Sequence, residues 1–194
     1  MKNVALKKTI VIFFAVLLFG VISSAAEMQV MEIPTAHTLR RNDGNIVVWS
    51  NLSGFSARAY FSPVENLDFF VTLKGRPNYF QVFGGAKWQF LKEGDKLGAL
   101  AIGTDSIYVV MSYGLAPGTY GHIGVGAGDV STVFAGLDYV VNLGSGAPPV
   151  KVMVEYNNGL NFGFSAEVAP ALSVGLAIKN LDRVSLGATV RFAL

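Results

Sequence analysis

Apolar and polar residues alternate along most of the chain, in short segments separated by turn-forming residues. In the segment LDFFVTLK (67–74), four large apolar side chains share one face, while Asp68, Thr72 and Lys74 share the other. A period of two is the pattern of a half-buried β-strand. Turn sequences such as KEGD, NNG and KNLD join the segments and favour antiparallel hairpins. We find no helical periodicity after residue 26, so the pattern predicts an all-β chain of about twelve antiparallel strands. The predicted strands cover residues 44–50, 55–61, 67–74, 79–91, 97–104, 106–116, 119–128, 131–143, 150–157, 160–168, 172–179 and 184–194.

The first 26 residues have a different pattern. Three lysines precede the apolar run 9–22, and the small residues SSAA follow it. This order predicts a secretory signal peptide cleaved after Ala26, the alternative being a single anchoring helix. The chain is then divided into a signal peptide (1–26), a lead-in segment (27–44) and a β-domain (45–194).

Composition excludes several classes of protein. Only 14% of the residues are charged and 52% are apolar, whereas roughly 25% are charged in an average soluble domain. There is no cysteine, which excludes disulfides, thiolate metal sites and a lipidated cysteine. Without the three lysines of the signal, 12 basic and 13 acidic residues remain. No basic patch indicates a nucleic-acid partner.

The same alternation fits a soluble secreted sandwich or small barrel that binds a ligand, and an outer-membrane barrel with its apolar face in lipid. The polar faces here consist mostly of Gly, Ser, Thr, Asn and Gln, with one or two charges per strand, which favours a confined interior over a water-facing surface. Aromatic residues concentrate near the predicted strand ends, as in the girdles of membrane barrels. These features favour an antiparallel up-and-down transmembrane β-barrel in the outer membrane. The aromatic residues are Trp49, Phe61, Tyr79, Phe80, Trp88, Phe90, Tyr108, Tyr120, Tyr156 and Phe192.

The last predicted strand, VSLGATVRFAL (184–194), would be an exposed edge unless another strand paired with it. A closed barrel removes that edge, so we expect this strand to pair with the segment NIVVWS (45–50). Its apolar side chains would then face lipid and Arg191 the interior. The segment also resembles the C-terminal signature that the assembly machinery of outer-membrane barrels recognises, with Phe192 and Leu194 as the candidate signal residues.

The lead-in segment carries the box Pro34-Thr35-Ala36, followed by Gly44 and the first strand. With the later strand pairs that include VFAGLDYVV and SVGLAIKNLDRVSLGATVRF, it resembles YjbH-like outer-membrane proteins. The resemblance implies an outer-membrane barrel linked to exopolysaccharide production or export. Typical members are much longer and some are lipoproteins, so this chain would be a short, single-barrel relative.

Nine charged residues would face the interior of such a barrel, in near balance of sign. Balanced charges can form internal salt bridges or line a narrow polar channel. The short connections argue against a receptor, an adhesin or a plugged transporter, and favour a structural barrel, a simple pore or a component of an export assembly. The interior candidates are Arg58, Asp68, Lys74, Lys87, Asp138, Lys151, Glu155, Glu167 and Arg191.

Candidate chemistry is sparse. His122 could act with Asp138 and a serine, Ser112 or Ser131, in a membrane-embedded lipid hydrolase or acyltransferase. No spacing supports this grouping, so we expect no catalytic residues, metal or cofactor. The glycines of GHIGVGAGD (121–129) lack the helix that a phosphate-binding loop needs, and indicate a strand whose inner face is cleared for bulky neighbours. The expected partners are outer-membrane lipid and the barrel-assembly machinery, with export-complex proteins or polysaccharide as further candidates.

Overall fold

The computed structural model describes residues 31–94, 98–104, 106–128, 130–144 and 146–193. The predicted signal peptide and Leu194 lie outside these ranges. The strands are β1 (Asp43–Asn51), β2 (Gly54–Val64), β3 (Leu67–Arg76), β4 (Tyr79–Leu91), β5 (Ala99–Gly103), β6 (Tyr108–Ala116), β7 (Thr119–Gly126), β8 (Val133–Val141), β9 (Val150–Tyr156), β10 (Leu160–Ala169), β11 (Leu172–Lys179) and β12 (Arg183–Ala193). In the described ranges, no helix has the length and apolar character needed to span a membrane.

The twelve strands form one closed, antiparallel barrel in which each strand pairs with its neighbours in the sequence. β12 closes the barrel by pairing with β1, in a register that runs from Asp43 opposite Ala193 to Ser50 opposite Leu186. The predicted up-and-down barrel of about twelve strands is therefore confirmed, and so is the pairing of its last strand with its first. Closure leaves no unpaired strand edge.

Antiparallel hairpins give the barrel two mouths. We call the mouth where β1 begins and β12 ends the near mouth, and the opposite one the far mouth. Asparagine supplies the left-handed backbone conformation at several tight turns, as at Asn66 (φ 67°) and Asn158 (φ 58°). In the KNLD turn, Asn180 and Leu181 both have positive φ, which matches the twist of a hairpin.

The outer surface of the barrel is apolar. Burial alternates along strands such as β3, in which Phe69 and Val71 are exposed while Asp68, Phe70 and Thr72 are buried. None of the outward-facing positions of the twelve described strands carries a charged residue. A surface of this kind is stable only in lipid, and a closed antiparallel barrel is the β-structure that satisfies every backbone group there. The chain is an outer-membrane β-barrel.

Not every aromatic residue of the predicted girdle faces lipid. Trp49 packs inside against the buried core, and Tyr108 is buried; Tyr120 contacts the ring of His37 in the lumen, at 5.4 Å between centroids. Two of these rings lie over glycines on the neighbouring strand, Trp49 opposite Gly187 and Tyr108 opposite Gly103. Interior glycines thus make room for large rings, which places part of the aromatic excess inside the barrel.

The glycine-rich strand β7 shows the same device. Gly124 lies directly opposite Phe134, and a Cβ at Gly124 would lie 2.2 Å from the end of that ring. The segment is a strand with a cleared inner face, as predicted. On the outer face, Gly44 accommodates the ring of Phe192 in the closing pair of strands.

Residues 31–42 of the lead-in segment lie inside the barrel, and we call them the plug. The plug begins beside Glu155, near the far mouth, and ends where Asn42 donates to the carbonyl of Ser62 at the near mouth (2.7 Å). The short connections, which argue against a plugged transporter, exclude only a plug built from loops. This plug is built from the segment that precedes β1, so the lumen is filled despite the short connections.

Barrel closure can be tested by disulfide trapping, because the chain has no cysteine of its own. We expect oxidation to cross-link β1 to β12 in at least one of two double-cysteine variants, Val47→Cys with Thr189→Cys or Val48→Cys with Ala188→Cys. Two successive pairs are needed because cross-strand pairs alternate in separation. The matched control joins β1 to β2 through Val48→Cys and Ala57→Cys. A cross-link in the control and in neither β1–β12 variant would contradict closure.

Candidate functional site: the plugged lumen

The carboxylate of Glu155 holds the first residues of the plug. The backbone N–H groups of Met31, Glu32 and Ile33 donate to its two oxygens over 3.0 to 3.2 Å, and the amide of Asn161 donates to it over 2.9 Å. Glu155 is 1% exposed. Three successive backbone N–H groups form a concavity that suits an anion. The plug backbone therefore binds the carboxylate of Glu155 as it would bind a free anion.

A buried ion pair holds the middle of the plug from β3 and β4. The ammonium of Lys87 donates to the carbonyl of Thr35 at 3.3 Å and also to the carbonyl of His37. Its Nζ lies 3.6 Å from a carboxylate oxygen of Asp68, and the other oxygen of Asp68 accepts the N–H of Leu39 at 3.1 Å. Both charged side chains are almost fully buried. Burial of such a pair is costly unless further hydrogen bonds satisfy it, and the backbone of the plug supplies those bonds.

A chain of polar groups joins the plug to the opposite wall. The N–H of Ala36 donates to Oγ of Ser112 at 2.7 Å, and that oxygen lies 2.8 Å from Nδ1 of His122. Nε2 of His122 lies 3.2 Å from a carboxylate oxygen of Asp138, which also pairs with Lys151 at 2.8 Å. Because Ser112 accepts from Ala36, its own hydrogen is directed to Nδ1, which leaves Nε2–H to donate to Asp138.

The sequence offered His122, Asp138 and either Ser112 or Ser131 as a candidate triad. In the structure, Ser112 is the serine that contacts His122. Ser131 lies elsewhere, where its hydroxyl donates to the carbonyl of Val133. The three groups have the order of contacts of a hydrolase triad. All three are buried, and Ser112 is 0% exposed beneath the plug.

Apolar packing complements the polar anchors. Met31, Ile33 and Ala36 of the plug lie in a buried cluster with wall residues that include Phe134 and Met153. A Cβ at Gly163 would lie 2.5 Å from the sulfur of Met31, so the absence of a side chain there admits the plug. Nearer the other end, a second cluster surrounds Leu39. The lumen is thus filled at this level by a segment that is specifically recognised.

His37 belongs to the plug and lies in the lumen beside Tyr120 and His122 of β7. Its ring stands edge to face with that of His122, at 6.5 Å between centroids. Burial and the nearby His122 lower the pKa of His37 below its ordinary value of 6.5. Its Nε2 is buried without a hydrogen-bond partner among the described residues. A neutral ring is favoured there because the cost of burying the charged form outweighs the attraction of Glu93 and Asp138.

The nine predicted interior charges occupy distinct environments. Four of them, Asp68, Lys87, Asp138 and Glu155, form the anchors of the plug or the chain of polar groups beside it. Lys151 pairs with Asp138, and Arg191 lies 3.5 Å from Glu167. Arg58 donates to the hydroxyls of Thr72 and Tyr60, and Lys74 lies over the ring of Phe83 at 5.2 Å. Two of the four acidic candidates, Asp68 and Glu155, therefore bind the plug, and Asp138 lies in the polar chain beside it. Arg58 and Lys74 line an open space.

That open space lies between the plug and the far mouth, and we call it the vestibule. It consists of a cavity of about 160 Å³ and an adjoining groove of about 230 Å³, which share Glu32, Trp49, Ser56, Lys74 and Lys179 as lining residues. Sequence reasoning missed Glu32 and Lys179, which pair at 2.7 Å. The position of Lys179 on the polar face of β11 was the signal available for one of them, but nothing in the sequence placed Glu32 inside the barrel.

No protein-family model matches the chain, and no curated protein matches it. Solved outer-membrane barrels do resemble its fold. A KdgM porin superposes with a TM-score of 0.53 at 10% identity, over 78% of this chain and 99% of that one. The same porin in complex with disordered oligogalacturonate gives 0.50 at 9% identity, over 78% and 99%. Omp33 of Acinetobacter baumannii gives 0.47 at 12% identity, over 79% and 98%.

The likeness to the KdgM porin shows the fold. It agrees with the closed barrel and the lipid-facing exterior, and the chain has the porin-like architecture of an outer-membrane β-barrel. In the ranges that the structure describes, no group of three or more histidine or acidic side chains is placed to hold a metal ion.

Proposed function

We propose that this barrel is an outer-membrane channel that its own plug keeps closed, and that displacement of the plug opens it for envelope or exopolysaccharide export. The observation that carries the proposal is how the plug is held. Buried side chains from the wall bind its backbone through Glu155, Lys87, Asp68 and Ser112. Water can replace hydrogen bonds of this kind, so the plug is able to leave without unfolding the barrel wall.

The export role rests on the YjbH-like box. Pro34, Thr35 and Ala36 form the centre of the plug, where all three are buried. If the box serves the same purpose in YjbH-like proteins, it closes a barrel and is not a lead-in turn. Export-complex proteins or a polysaccharide would then supply the free energy that displaces it, while outer-membrane lipid surrounds the barrel and the assembly machinery inserts it.

A permanently closed scaffold is the competing role for the same fold. In that case the plug would be a core that never leaves, comparable with the packed interior of a small barrel. The vestibule favours the channel, because a filled scaffold has no need of an open polar space that leads from the far mouth to the plug.

Conductance in a planar bilayer distinguishes the channel from the scaffold. We expect the wild-type protein to be closed for most of the time, and the double variant Asp68→Asn with Glu155→Gln to open far more often. Hydrogen bonds to charged groups contribute about 1.5–3 kcal/mol each, and 1.4 kcal/mol changes an equilibrium about tenfold. We therefore expect open time to rise by roughly tenfold or more.

Glu167→Gln is the matched control, because Glu167 is an acidic residue of the wall that pairs with Arg191 of β12. Heat-modifiable migration shows that each variant has folded. Deletion of residues 27–39 provides a second route to an open lumen should the double variant fold poorly. A folded barrel that stays silent after deletion of the plug would contradict the channel and favour the scaffold.

A second candidate function is lipid hydrolysis, and the contacts among Ser112, His122 and Asp138 favour it. The serine is sealed, however, and its oxygen already accepts the N–H of Ala36. A substrate carbonyl has no path to it while the plug is in place. We propose that these residues anchor the plug and that the protein is not an enzyme.

The hydrolase alternative is tested with a fluorogenic phospholipid ester in mixed micelles. We expect wild-type protein, Ser112→Ala and His122→Ala all to match the background rate. The plug-deletion variant is assayed beside them, since it would uncover Ser112. Turnover by either the wild-type or the deletion protein that Ser112→Ala abolishes would make the triad catalytic.

A further inference from the structure

Charge is distributed unevenly along the lumen. The plug anchors toward the near mouth include both signs, whereas the lining of the vestibule is basic. Five cationic side chains line it and Glu32 is the one acidic residue among the described lining residues. The cations are Arg58, Lys74, Arg76, Lys179 and Arg183.

These cations lie on one arc of the wall. They come from β2, β3, β11 and β12, and β1 lies at the centre of the arc, since the strand order there is β11, β12, β1, β2, β3. β1 contributes Trp49 to the lining of both the cavity and the groove, with Asn51 beyond it. Neighbouring hydroxyls from Ser56 and Ser185 complete a surface that combines cations, an aromatic ring and neutral hydrogen-bonding groups.

The acidic residue of the lining comes from the plug and not from the wall. The carboxylate of Glu32 lies 2.7 Å from Nζ of Lys179, and the same ammonium lies 5.7 Å from the centre of the Trp49 ring. The plug thus places one carboxylate against the basic arc. An incoming carboxylate would compete with it for Lys179, which would remove one contact that holds the plug.

We propose that the vestibule binds the end of an oligosaccharide chain that carries carboxylate groups, and that the carboxylate of Glu32 occupies the position of one ligand carboxylate. Ammonium and guanidinium groups bind carboxylates through charge-assisted hydrogen bonds. Trp49 offers an apolar ring, while asparagine and serine side chains match sugar hydroxyls, as in ligand sites that combine an apolar surface with a few polar groups. A small inorganic anion would use the cations and leave the other groups unused.

This inference deepens the proposed function by naming a ligand class, but its test needs no ion flow. Binding of a uronic-acid hexamer to the folded protein in detergent is measured by calorimetry at low and moderate salt. A neutral glucose hexamer and inorganic phosphate serve as comparison ligands. We expect the hexauronate to bind, with an affinity that falls as salt rises, and the neutral hexamer to bind at least tenfold more weakly.

Variants locate the site. Lys74→Gln with Lys179→Gln should weaken hexauronate binding at least tenfold. Glu32→Gln should strengthen it severalfold, because the competing carboxylate is gone. Lys92→Gln is the matched control, since Lys92 is an exposed lysine that pairs with Glu65 outside the vestibule, and it should leave binding unchanged.

Several outcomes would overturn the proposal. Equal binding of the neutral hexamer would remove the role of charge, and full competition by millimolar phosphate would reduce the site to a general anion site. A barrel that conducts without binding hexauronate would contradict this inference alone. Hexauronate binding by a protein whose plug-deletion variant stays silent would leave the inference standing and contradict the channel.

Discussion

The pairing of buried wall charges with the backbone of the plug is the interaction on which the rest of the structure depends. Since the outer face of the described strands carries no charged residue, each charge of these strands faces the lumen, where it needs a partner. The plug also brings buried backbone N–H and carbonyl groups that need partners. Glu155, Lys87 and Asp68 satisfy both requirements at once. Without the plug, these charges would need water as a partner. Without the charges, backbone N–H and carbonyl groups of the plug would be buried with no hydrogen-bond partner.

The sequence predicted the barrel wall far better than the plug inside it. Alternation in segments such as 67–74 fixes which side chains face outward, and closure follows because the strand 184–194 would otherwise be an unpaired edge. The plug left no such pattern, because its main polar anchors are backbone groups that every residue has. Near balance of charge predicted internal salt bridges or a narrow polar channel. Wall pairs such as Lys151 with Asp138 do form, but nothing in the charge pattern indicated that Glu155 would accept three N–H groups of the plug. Short loops exclude a plug built from a loop, but they do not exclude a plug built from the segment before β1.

The composition of the chain is explained by two kinds of space inside one barrel. Glycine opposite an aromatic ring, as at Gly124 and Phe134, lets a narrow lumen hold large side chains and still admit a peptide segment. Beyond the plug, basic residues on a single arc surround a space that the plug does not fill. Glu32 belongs to both regions, because its N–H binds Glu155 and its carboxylate binds Lys179. Through this residue, events in the vestibule can act on the plug.

Thiol accessibility at Ala36 tests the central claim most directly, because Ala36 lies in the middle of the plug, is fully buried and belongs to a chain without cysteine. A membrane-impermeant maleimide should label Leu52→Cys quickly, since that side chain is fully exposed in the β1–β2 turn. The account predicts that Ala36→Cys stays unlabelled in the folded barrel, becomes reactive on unfolding, and reacts faster when Glu155→Gln weakens the anchor. Labelling of Ala36→Cys in the folded wild-type background at the rate of Leu52→Cys would show that the segment does not occupy the lumen, and would contradict the account.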